Sequence, residues 1–240
     1  MERVGWIPRF WEDDARFAWL APVARCFATS ETFPSVDAWT EHLGTFAQVR
    51  FETQPPRGRR RRRVAPDALY DARISREGVV PSRAENWHDF LNALVWAAFP
   101  RAKRALHARQ HRAIAARIDP TSTRLPESRT RELDALAILD EGGVIVLARE
   151  PITRDDALLD AINRGAAQPI VFGHAIYEGF VRSGPTPTAR CVILPDAPLD
   201  TPRDTQLAWS DAALAARLEQ PDTFADPASM PLWTVRRPAR

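Results

Sequence analysis

The segment from Glu85 to Phe99 constrains the fold more than any other stretch of the chain. Phe90, Leu91, Leu94, Val95, Ala98 and Phe99 recur at helical spacing and give a wide apolar face. Pro100 ends this helix or opens the next, because the residue before a proline is steered away from helical dihedrals. Residues 101 to 118, RAKRALHARQHRAIAARI, continue as a basic amphipathic helix that stops at Asp119-Pro120. The two make a helical hairpin or a kinked pair.

The remaining elements follow from the same periodicities. Residues 10 to 28 read as an amphipathic helix that Pro22 kinks or divides. Ser35 is positioned to cap the helix VDAWTEHLGTF, and VRFET after it suits a short strand. PDALYDARISR, residues 66 to 76, reads as a helix with Gly78 just past its end. LDALAILDEGGVIVLAR, residues 133 to 149, places two apolar runs around Asp140-Glu141-Gly142-Gly143 and reads as a β-hairpin, although the alanines of its first arm leave a helix open there. Thr153 caps a short helix (RDDALLDAIN), PIVF and RCVIL are strands, and GHAIYEGFV and SDAALAARLEQ are helical, with proline-rich connections in the last quarter. The expected fold class is α+β: one predominantly helical domain over residues 1 to 240, with a β-hairpin and a few short strands.

Composition narrows the function classes. At 240 residues, 45% hydrophobic and 27% charged, the chain has an ordinary globular make-up. It has no run of the roughly 18 apolar residues a membrane span needs. Its first residues, MERVGWIPRFWEDDARF, lack the pattern of a secretion signal, so a cytoplasmic protein without membrane partners is expected. Cys26 and Cys191 are too few for a disulfide framework or a thiolate zinc site, so any metal would rely on nitrogen and oxygen ligands. Of 33 basic residues only Lys103 is a lysine. The excess of arginine matches the coding bias of a GC-rich genome and makes single arginines poor functional markers, whereas the lone ammonium stands out. QPPRGRRRRR, residues 54 to 63, reads as an exposed loop; Arg59 to Arg63 could meet phosphates, yet the net charge is only +2 and no aromatic residues interleave.

Three segments place ionisable groups on helix faces, where residues four apart are neighbours. His88 and Asn92 share a face, flanked by Asp89; Lys103, His107 and His111 form one stripe; His174 and Glu178 pair directly after a strand and Gly173. Histidine titrates nearest neutral pH, and His, Asp and Glu are the ligands for zinc, manganese or iron. An HxxxH pair alone also fits a structural helix, and acids before Gly-Gly also fit plain turn chemistry. His88 and His174 carry more weight, because an unpaired polar group inside an apolar run costs about 1–3 kcal/mol.

ENWHDFLNALVWAAFPRAK, LDEGG and FGHAIYEGF together resemble the bacterial domain-of-unknown-function family numbered 3025, over roughly residues 50 to 215. The resemblance runs through Arg83, the Asn86-Trp87-His88-Asp89 start, Asn92, Trp96, the Phe99-Pro100 break and Lys103. It continues in Asp140, Glu141, Gly143, Gly173, His174, Ala175 and Glu178. Position 107 departs from the family, where asparagine is common, and so do the tail PLWTVRRPAR and the arginine tract. The resemblance implies no activity, fold or ligand.

The leading expectation is a metal-assisted hydrolase or related enzyme acting on a small molecule. His88, Asp89, His174 and Glu178 would line one pocket and hold a divalent ion such as zinc, manganese or iron, with Asp140 or Glu141 at its rim. The catalytic set comprises His88, Asp89, Asn92, Lys103 and Glu141. Asn92 orients, and Lys103 contacts an anion from a partly exposed position that would tolerate arginine. The alternative is docking of nucleic acid or an acidic partner by helix 101 to 118 and Arg59 to Arg63. A third reading makes WHDFLN a buried hydrogen-bond network that fixes a helix pair.

Overall fold

The computed structural model describes residues 4–12, 14–54, 70–117, 128–152, 155–184 and 187–234. The arginine tract, Pro66, Asp119-Pro120 and Thr153 lie outside them. The first long helix is α2 (Val36–Ala47), which Ser35 starts by accepting from the Ala38 N–H; it follows the four-residue α1 (Ala21–Ala24). Pro22 lies in the first turn of α1, and 3-10 turns over Ala15–Phe17 and Arg25–Phe27 flank it. The amphipathic stretch 10 to 28 is therefore divided rather than kinked, since proline fits a helix start and breaks an interior.

Strand β1 (Arg50–Thr53) pairs in parallel with β2 (Val79–Ser82), Phe51 opposite Val80, and α3 (Tyr70–Glu77) crosses between them. Gly78 ends α3 with φ +62. β2 is a strand that the sequence pattern does not announce, for Pro81 interrupts it. Next come α4 (Trp87–Ala98) and α5 (Pro100–Ala115); Pro100 opens α5. Ten of the twelve residues of α4 are buried, and only His88 and Asp89, in its first turn, reach towards solvent. An element enclosed so fully fixes where these two residues emerge.

Residues 133 to 149 do not form the expected hairpin. They are the end of α6 (Arg131–Gly142) and strand β3 (Gly143–Ala148). Thr130 caps α6 through the Leu133 N–H at 3.1 Å, and Leu133, Leu136 and Leu139 bury one face at helical spacing. Helix-favouring alanine and leucine decide the first arm, and the two glycines pass the chain straight from helix to strand. After α7 (Asp155–Asn163), strand β4 (Ala167–Val171) runs antiparallel to β3, then α8 (His174–Val181) follows. β5 (Thr188–Leu194) runs parallel to β3, and after α9 (Arg203–Glu219) strand β6 (Leu232–Thr234) closes the sheet in the order β4-β3-β5-β6. The architecture is thus α+β and mostly helical.

One continuous apolar cluster joins both halves. α4 packs on α2 and α8, and α5 packs on α3 and α9. Trp6 stacks on Trp87 at 5.1 Å, and Phe27, Phe33 and Trp39 surround Phe90. Arg109, buried in α5, donates to Glu132 and to the carbonyls of Leu218, Gln220, Pro221 and Thr223, which ties the end of α9 to α6. Among the described residues no helix is long and apolar enough to cross a membrane.

Candidate metal centre

Four element ends meet at one point. α6 ends at Gly142, β3 begins at Gly143, β4 has just ended, and α8 begins at His174. The N–H groups of Phe172 and Gly173 both donate to the Gly143 carbonyl, at 3.0 and 2.8 Å. A Cβ on Gly173 would stand 2.5 Å from the Glu141 carbonyl oxygen and from the amide nitrogens of Gly142 and Gly143. Glycine at 173 is what allows His174 and Glu141 to come this close.

His88, from the first turn of α4, completes the group. His174 Nε2 and His88 Nε2 are 3.0 Å apart, and Glu141 Oε2 stands 3.3 Å from the former and 3.6 Å from the latter. The other two ring nitrogens differ in their surroundings. His88 Nδ1 lies 3.0 Å from Glu178 Oε2, and since a carboxylate paired with arginine can only accept, Nδ1 carries the hydrogen. Glu178 Oε1 accepts from Arg182 Nε at 2.8 Å. His174 Nδ1 is directed at the Asp140 backbone carbonyl without forming a well-aligned hydrogen bond. Both Nε2 atoms therefore face the same small space, His88 Nε2 as an acceptor.

The electrostatics hold that arrangement. Burial, with Lys103 and His88 acting in the same sense, lowers the His174 imidazole to about 3 against the pull of Asp140, so His174 is neutral at physiological pH. Glu141 is raised, first by burial and then by the Asp140 and Glu178 charges, with His88 and Lys103 opposing, although its side chain is half exposed. Two acids at the C-terminal end of α6 also face the negative end of the helix dipole. With Asp140 paired to Lys103 and Glu178 to Arg182, Glu141 is the carboxylate left to face the two imidazoles.

Three donor atoms separated by 3.0, 3.3 and 3.6 Å match one small ion. Ligand atoms at about 2.0–2.1 Å from a tetrahedral metal lie roughly 3.3 Å from one another. His88, Glu141 and His174 are the one group of three or more such ligands that converges among the described residues. Glu178 is the outer partner that such an imidazole takes, fixing the His88 tautomer that leaves Nε2 bare, and the Asp140 carbonyl stands in the corresponding place behind His174.

The sequence-derived set is thus redistributed. His88 and His174 meet as expected, and Glu178 touches His88 on the side away from the convergence point. Glu141, expected as a catalytic residue, occupies the position of the third ligand. Asp89 stands apart from the group: it accepts from the Arg83 N–H at 2.6 Å and from Arg83 Nε and Nη2 at 2.9 and 2.7 Å. That clamp uses both carboxylate oxygens, which leaves Asp89 as a structural brace at the start of α4. Lys103 is fully buried, not partly exposed, and cannot reach a substrate. Its ammonium donates to Asn92 Oδ1 at 2.7 Å and to Asp140 Oδ1, and Asn92 donates to the Tyr70 hydroxyl at 3.2 Å. Asn92 therefore orients Lys103. His107 bonds Asp71 at 2.8 Å and stacks on Trp96, away from any ligand group. Asp140, buried and paired, is the residue that sequence reasoning underrated; acids closing a helix at its unfavourable end were the available signal.

The basic residues of α5 and the turn after it differ in exposure. Lys103 and Arg109 are interior, Arg104 Nη2 donates to Gln48, and Arg117 to the Ser128 carbonyl. Two open hollows lie elsewhere: one of about 760 Å³ is bordered by Trp19, Phe46 and Arg203, another of about 570 Å³ by Cys191, Arg217 and Phe224.

A family model described as protein of unknown function (DUF3025) matches residues 59–235, well over half the chain, and the chain belongs to that family. No curated protein and no solved structure matches it.

Proposed function

We propose that this protein is a metal-dependent enzyme of the hydrolytic type, in which His88, His174 and Glu141 hold one divalent first-row ion beside the surface and a small-molecule substrate enters past Glu141. The observation that carries the reading is the pair of Nε2 atoms at 3.0 Å. With Glu178 accepting from His88 Nδ1, the His88 Nε2 is bare, and a His174 ring that carries its hydrogen on Nδ1, on the Asp140 carbonyl side, would set a second lone pair against it, a pair of acceptors that a cation between them satisfies. Three protein ligands with a remaining open position are the arrangement of catalytic rather than structural zinc; two histidines and one carboxylate also suit iron or manganese.

A divalent ion bound there supplies Lewis acidity, polarising a carbonyl or phosphoryl oxygen and making water a nucleophile at neutral pH. The chain's own residues do the rest. Glu178, braced by Arg182, keeps the His88 ring turned with Nε2 inward. Glu141 is half exposed, so the site opens on its side, while His174 faces the interior. A cytosolic setting belongs to the same proposal and is supported by two cysteines, one buried and one exposed, that form no disulfide.

The test is reconstitution. Protein stripped with a chelator and reloaded with zinc, manganese or ferrous iron is assayed on activated ester, amide and phosphoester substrates. Turnover of at least one class is expected only with metal, and is lost in Glu141→Ala. Metal-loaded protein that turns over none of them would remove the hydrolytic reading.

A further inference from the structure

Lys103 presents a problem that the metal site alone does not solve. An ammonium is the most heavily hydrated cation a protein carries, and taking it and a carboxylate out of water costs several kcal/mol for each ion. Apolar side chains of similar volume commonly serve stability as well or better. Yet the chain's only lysine has no exposed surface, and Asp140, its partner, stands in the last turn of a helix, where a negative charge is disfavoured. Two of the ammonium's three N–H groups donate to Asn92 and Asp140, and the Trp96 and Phe172 rings lie 5.5 and 5.9 Å from Nζ.

What this pair holds is specific. Asn92 comes from α4, the helix that carries His88, and Lys103 from α5; Asp140 is in α6, beside Glu141. The Asp140 carbonyl faces Nδ1 of His174, the first residue of α8. One ammonium thus bonds directly to the helices that bear His88 and Glu141, and through Asp140 it reaches the carbonyl behind His174. We infer that Lys103 is a positioning residue for the metal centre: by fixing Asp140 it sets both the Glu141 carboxylate and the carbonyl behind His174, and so governs how tightly and in what geometry the ion is held. The inference rests on the metal reading above and adds to it residues that touch neither ion nor substrate.

The probe is cobalt(II), whose visible absorption reports coordination geometry, titrated into the metal-stripped full chain. Three proteins are compared: the parent, Asp140→Asn, and the double variant Lys103→Met/Asp140→Leu. The double variant removes both charges together and leaves no unpaired ion to unfold the core, while Asp140→Asn keeps shape and an acceptor, so one folded variant suffices for the comparison. The expected result is cobalt affinity lowered 10- to 100-fold in the double variant, with altered band intensity, and a smaller loss in the same sense in Asp140→Asn. Melting curves accompany each titration. A purely architectural pair would change the melting temperature and leave affinity and spectrum as in the parent, and that outcome overturns the inference while the metal reading stands. A parent protein that binds no cobalt overturns both.

Discussion

His88 and His174 face each other through their Nε2 atoms at 3.0 Å although 86 residues separate them in the chain. The contact depends on two unrelated local events: the capped start of α4 at Asn86, whose side chain accepts from the Asp89 N–H, and the glycine junction that starts α8. Each imidazole is then turned by a different partner, Glu178 for one and the Asp140 backbone for the other.

That division of labour predicts unequal mutational effects on metal affinity. Glu178→Gln removes the charge behind His88 but no ligand, and should weaken binding 10- to 100-fold. Glu141→Gln removes a ligand charge and should weaken it further. Calorimetric titration of both variants with zinc checks the order, and equal affinities would contradict the assignment of Glu178 as an outer partner.

The His174 imidazole makes stability depend on acid. Its folded value, about 3, lies below the ordinary 6.5, so between those limits the unfolded chain takes up a proton that the folded chain refuses. Stability from this group is complete above about pH 6.5 and is lost as the pH falls towards 3, by on the order of 4 kcal/mol. Asp140 acts in the same sense at lower pH: burial raises its carboxyl, but Lys103, His107 and His174 together hold it well below the usual carboxylate range. Denaturant unfolding in the presence of chelator, from pH 7 to 4, should show a steeper decline for the parent than for His174→Gln. Parallel curves would show that the imidazole is not held neutral.

Lys103 offers a test of burial that needs no ligand. An amine-acylating reagent should leave it unmodified in the native protein and modify it once the chain unfolds, as peptide mass mapping will show. Lys103→Ala strands the Asp140 charge and should cost about 3–5 kcal/mol. Rapid native labelling would place the ammonium in solvent.

Much of the fold was legible from local patterns. Ser35, Pro100 and Gly78 mark element ends that the structure reproduces, because a cap, a fixed φ or a positive φ acts within a few residues. Residues 133 to 149 were not legible in the same way, since Asp-Glu-Gly-Gly serves equally as a hairpin turn and as a helix end; the alanines and leucines before it favour the helix, and packing against α5 and α8 holds it. The candidate site divides along the same line. His88 and His174 stood out as polar residues in apolar runs. The departure of Asp89 to Arg83, the exchange of places between Glu178 and Glu141, and the burial of Lys103 against Asp140 all depend on contacts between distant segments that no spacing rule reaches.

Gly173→Ala tests the junction itself. The added methyl would meet backbone atoms at 2.5 Å, which flexible side chains cannot relieve. A destabilisation of about 1–3 kcal/mol is expected, with metal affinity falling as His174 moves off Glu141. Gly142→Ala, whose Cβ has nothing within 4 Å, is the matched control. Equal behaviour of the two variants in thermal melts and zinc titration would refute the close-packing argument.

The central claim is that His88, Glu141 and His174 form one ion site, and stoichiometry tests it most directly. Elemental analysis of the protein after equilibration with zinc and removal of the excess should give one ion per chain in the parent and none retained in His88→Ala or His174→Ala. The parent alone should gain thermal stability from the added ion. A parent chain that retains no metal and melts at the same temperature with and without it, or histidine variants that bind as the parent does, would contradict the account.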